Sequence, residues 1–165
     1  MLGAAGGLAG AAGAVAVGFV VAYVLCYATH EWGHLIGARL TGARMPLNRY
    51  SSPLIGLFNP ACHTRRQFLA LSWGGVAGYT LVACASVGVW ASADLGLAGV
   101  GLAVGGLAFL TQSLAVDLPQ IWKVSAGADA TETNRDGTAP ALILRRTWQC
   151  WTLLAIALLV ANGLF

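Results

Sequence analysis

Four stretches of this chain are long and apolar enough to cross a bilayer, and they carry almost no charge. A spanning helix needs about 20 mostly apolar residues, because a rise of about 1.5 Å per residue must cover about 30 Å of hydrocarbon. Residues 14–40, 68–90, 95–116 and 142–164 meet that requirement, and the Gly/Ala-rich stretch 2–13 can extend the first. Of the 165 residues, 58% are hydrophobic and 9% charged, against about 25% charged in soluble domains. In hydrocarbon every backbone N–H and C=O must be satisfied internally, and helices of this length do so. The expected fold is therefore all-α: a polytopic membrane protein with about four transmembrane helices, forming a single membrane-embedded domain over 1–165.

Loop charges orient such a bundle. Arg39, Arg44, Arg49, Arg65 and Arg66 cluster around the first connection, and Lys123, Arg135, Arg145 and Arg146 around the third, whereas the second carries only Asp94. By the positive-inside rule the two basic loops are cytoplasmic. His30, His34, Asp117 and Asp136 then share the cytoplasmic side, and Asp94 lies across the membrane. The basic residues form no run and the net charge is only +3, so nucleic acid is not an expected partner. The N-terminal segment lacks a positive leader and runs into the polar motif below, which reads as a retained helix rather than a cleaved signal.

The connection 45–67 contains Pro46, Pro53 and Pro60 and is too short and broken to span. A re-entrant or extended segment, able to offer a backbone edge to a substrate, and a plain surface loop are the two readings of it. Gly74, Gly75 and Gly78, with Gly101, Gly105 and Gly106, are expected at helix contacts, since small residues let membrane helices approach closely. Cys26, Cys62, Cys84 and Cys150 form no C-x-x-C pair, so a zinc ribbon or thioredoxin-like motif is absent.

Within the first apolar stretch lies His30-Glu31-Trp32-Gly33-His34, an H-E-x-x-H pattern. Residues four apart share a helix face, so both imidazoles can reach one metal ion, with the glutamate placed as base for a metal-bound water. Ionisable groups are costly in a membrane and mark function by default. Only six residues of the chain are Asp or Glu and three are His, so this ordering by chance is improbable. A catalytic zinc takes a third protein ligand. The candidates are Asp136, beside Gly137 at a helix start; Asp117, with Pro119 expected to break its helix soon after; and His63 and Cys62 in the proline-rich loop. Haem ligation by His30 or His34 is disfavoured, because Glu31 would have no role there.

The apolar helix with His30-Glu31-Trp32-Gly33-His34 resembles the site-2 protease family of intramembrane zinc metalloproteases, whose first motif is H-E-x-G-H; Gly33 matches its glycine. The family's later N-x-x-P and Asp-Gly elements look similar to Leu118-Pro119 and Asn134-Arg135-Asp136-Gly137. Asp117 stands where the family often has Asn, and Arg135 where it has an apolar residue. The resemblance implies Zn(2+) held by His30, His34 and Asp136, with Asp117 as the alternative third ligand, and Glu31 as the catalytic base. It implies peptide-bond hydrolysis in or near a transmembrane protein substrate. The competing expectation is a non-proteolytic, pseudoprotease-like accessory subunit of a larger membrane complex. Either way the partners are the lipid bilayer and other membrane proteins, and the expected setting is a bacterial inner membrane with the active site toward the cytoplasm.

Overall fold

The structure is a computed structural model. It describes residues 2–47, 59–137 and 139–161, except the side chains of 2–9, 11, 62, 140, 150 and 153–161. Among the described residues, five α-helices follow in order: α1 (Leu2–Leu40), α2 (Arg65–Ser92), α3 (Gly96–Ser125), α4 (Ala130–Gly137) and α5 (Pro140–Ala161), with one 3-10 turn at Pro60–Cys62 before α2. No strand occurs among the described residues. The re-entrant or extended loop expected within 45–67 falls mostly on 48–58, outside the described residues.

Among the described residues, three helices are long and apolar enough to cross a membrane: the Ala12–Leu40 part of α1, then α2 and α3. The bundle is thus an integral membrane protein in its architecture. α5 is a 22-residue helix where the fourth span was expected.

Local chemistry sets the helix ends. α1 stops where Gly42 adopts φ +72°, and the Ala43 N–H donates back to the Ala38 carbonyl at 3.0 Å. This is the left-handed cap that glycine adopts without strain. α2 opens with a capping box, in which the Thr64 hydroxyl accepts from Gln67 N–H while the Gln67 side chain accepts from Thr64 N–H. Asp129 begins α4 by accepting from the N–H groups of Thr131 and Glu132, both at 2.9 Å.

Pro119 does not end α3, which continues through it to Ser125. Proline removes one helical donor, leaving the Ala115 carbonyl without its usual partner. Helices packed within a membrane bundle tolerate that loss. Asp136, expected in a loop, lies instead within the short helix α4.

α1 is the spine, packed against both α2 and α3. Lipid tails are as apolar as leucine, so these contacts rest on close packing rather than on burial from water. A Cβ on Gly33 would strike the Gly74 carbonyl, one on Gly78 the Thr29 carbonyl, and one on Gly101 the Val15 carbonyl. All six glycines predicted at contacts meet a neighbouring helix or a side chain standing on it. The core is Cys26, Val76, Tyr79, Ala83, Phe109 and Ile121, drawn from α1, α2 and α3. Cys26 is a packed thiol there, fully buried, with its Sγ 3.8 Å from the Tyr79 carbonyl.

Hydrogen bonds show which helix ends lie together. The Arg65 side chain bonds the Ser125 carbonyl, and Gln67 donates to the Thr41 carbonyl at 3.2 Å. The end of α1, the start of α2 and the end of α3 therefore lie together. Asp94 sits in the α2–α3 turn at the opposite end.

Candidate metal centre

His30 and His34 lie one turn apart on α1, with ring centroids 4.2 Å apart. Their Nε2 atoms converge to 3.0 Å. The second ring is fixed from α2: His34 Nδ1 stands 2.8 Å from the Leu71 carbonyl. A carbonyl only accepts, so Nδ1 carries the proton and, in a neutral imidazole, Nε2 presents a lone pair. This tautomer lock is the usual outer support of a metal-binding histidine. Gly75 makes room for it, since a Cβ there would collide with the His34 ring.

From α3, Asp117 brings a carboxylate to the pair, with its Oδ2 3.9 Å from His30 Nδ1. Both side chains are only 14% exposed. Neither His30 Nδ1 nor Asp117 Oδ2 has a hydrogen-bond partner. An unsatisfied buried polar atom costs about 1–3 kcal/mol. Glu31 is buried at 4% exposure and interacts electrostatically with Asp117 and Tyr27.

The cluster can balance its charge in two ways: by a proton shared between Asp117 and His30, or by a cation at the imidazole pair. If His30 Nε2 carries the proton it donates to His34, and its bare Nδ1 then faces the Asp117 carboxylate. If Nδ1 carries it, two Nε2 lone pairs face each other at 3.0 Å. Two neighbouring carboxylates add like-charge repulsion in a low-dielectric setting. A divalent cation between the two Nε2 atoms would relieve the lone-pair opposition and would balance two ionised carboxylates. The donor set, nitrogen with carboxylate oxygen, suits zinc. Among the described residues, no three His, Cys, Asp or Glu side chains already form a complete ligand set. The imidazole pair is preformed, and the carboxylate stands beside it.

Asp136 is placed differently. Its side chain is 63% exposed and lies 3.8 Å from Arg135, at a small cleft lined also by Gln120, Lys123, Thr133 and Arg146. His63 is held by backbone: Nδ1 is 2.6 Å from the Asn59 carbonyl and Nε2 3.1 Å from that of Arg44. The Cys62 side chain lies outside the described residues. The carboxylate within ion-pair reach of the motif histidines is thus that of Asp117.

In comparisons with protein families, curated proteins and solved structures, nothing matches the chain. The functional reading therefore stands on the residues themselves.

Sequence reasoning missed Tyr79. Its ring lies against His30, centroids 5.4 Å apart, and its hydroxyl is buried without a partner. A lone tyrosine in an apolar helix gives no signal by spacing; only the packing of α2 on α1 reveals it.

Proposed function

We propose that the chain is an intramembrane zinc metalloprotease of the site-2 protease kind, with His30, His34 and Asp117 as metal ligands and Glu31 as general base. The observation that carries this reading is the convergence of the two Nε2 atoms, one locked by Leu71, beside two buried carboxylates. Asp117 is favoured over Asp136 for the third position because it is largely buried beside His30, its Oδ2 3.9 Å from Nδ1 rather than from the Nε2 that faces His34. Bound zinc would polarise a carbonyl and make water acidic near neutral pH. Glu31 accepts the proton of the attacking water as its oxygen bonds to the scissile carbon. The same carboxyl then returns that proton to the departing amine nitrogen, so that water is added across the peptide bond. Burial within apolar helices keeps bulk water scarce around the pair and strengthens each electrostatic contact.

In this reading α5 is the fourth span. Its Arg146 lines the cleft at Pro119 and Lys123, and Trp151 packs on Phe19 of α1, ring centroids 5.6 Å apart. The helix thus runs inward along the bundle. The substrate is a transmembrane protein presented from the bilayer, and the basic helix ends face the cytoplasm of a bacterial inner membrane.

The test compares cells expressing the wild-type chain with cells expressing Glu31→Gln, by mapping new N-termini among their membrane proteins. New termini that require Glu31, with zinc retained in the variant, support proteolysis. Identical termini in both, with zinc bound, overturn it and leave the accessory-subunit reading.

A further inference from the structure

The Tyr79 hydroxyl is an anomaly in a close-packed membrane core. The side chain is wholly buried, and phenylalanine would fill the same space without a polar atom to satisfy. An unpaired buried hydroxyl is a standing cost. Three buried polar atoms without partners come from three different helices and gather at one place: His30 Nδ1 of α1, Tyr79 Oη of α2 and Asp117 Oδ2 of α3. His30 links them, since its ring lies 5.4 Å from that of Tyr79 and its Nδ1 3.9 Å from Asp117. Two of the three atoms have complementary chemistry. A phenol donates, and a carboxylate oxygen accepts.

We infer that Tyr79 is a positioning residue of the metal centre, its hydroxyl donating to the Asp117 carboxylate so that one carboxylate oxygen is held while the other is presented to the metal. Neither the hydroxyl nor Asp117 Oδ2 has another hydrogen-bond partner that this pairing would displace. Such outer partners orient a ligand and are worth about 10–100-fold in metal affinity. The role also explains why α2 contributes a core residue that reaches the site without touching the metal. Gly75 and Tyr79, one turn apart, then serve the two ends of the set: Gly75 gives the His34 ring its space, and Tyr79 fixes the carboxylate. This inference rests on the proposed zinc site.

The test uses the purified full-length chain in nanodiscs, stripped with chelator and titrated with Co(2+), beside Tyr79→Phe. Far-ultraviolet dichroism confirms equal helix content. The expected result is a 10–100-fold loss of cobalt affinity in the variant and, at saturating cobalt, a changed visible absorption band, because the ligand arrangement itself is altered. Unchanged affinity overturns the inference. So does weakened affinity with an unaltered saturated band, which would mark Tyr79 as packing alone. Both of these results leave the zinc site standing. A wild-type chain that takes up no metal overturns the zinc site, and this inference with it.

Discussion

At the scale of single residues, the proposed chemistry concentrates in His30, Glu31, His34 and Asp117. Two predictions follow from their surroundings. Asp117→Ala should lower zinc occupancy severely, whereas Asp136→Ala should leave it near wild type, as metal analysis of the purified variants can check. The reason is environment: Asp117 is buried against His30, and Asp136 is exposed beside Arg135. Glu31→Gln should cut peptide cleavage by about 10²–10⁴, the usual worth of a general base, with zinc retained. The motif histidines and glutamate were legible in the chain because a four-residue spacing on a helix dictates one face. The closeness of Asp117 to His30 was not. Asp-Gly at Asp136-Gly137 is a local pattern, while the burial of Asp117 depends on how α3 crosses α1, which no local pattern encodes.

Elements place those residues by close approach. Gly75 lies so near the His34 imidazole that a methyl group would overlap it. Gly75→Ala should therefore displace the ring, lower zinc affinity and destabilise the bundle by about 1–3 kcal/mol, the usual cost of overpacking. Gly88 is the built-in control on the same helix, since nothing lies within 4 Å of its absent Cβ. Gly88→Ala should be neutral or slightly stabilising. Thermal unfolding in detergent, followed with metal analysis, separates the two. The glycine positions were foreseeable because small residues at helical spacing in apolar segments mark contacts. The run of α3 past Pro119 was not, since proline ends helices in water but is tolerated inside a packed bundle.

At the scale of the whole molecule, apolar length carried most of the architecture. Three helices fulfil the spanning requirement, and hydrogen bonds gather the ends of α1, α2 and α3 that bear Arg39, Arg65 and Lys123. The proposed orientation predicts opposite labelling of the two ends. Asp94→Cys should react with a membrane-impermeant thiol reagent in intact cells, and Arg66→Cys only after permeabilisation. Buried ionisable groups in such a bundle need a balancing charge or proton, and the proposal gives that role to zinc. Zinc K-edge absorption on the purified wild-type chain tests this most directly. The prediction is about one zinc per chain with imidazole nitrogen and carboxylate oxygen ligands at about 2.0–2.2 Å. Protein purified without zinc under conditions that load other zinc proteins, or zinc bound through sulfur at about 2.3 Å, would contradict it.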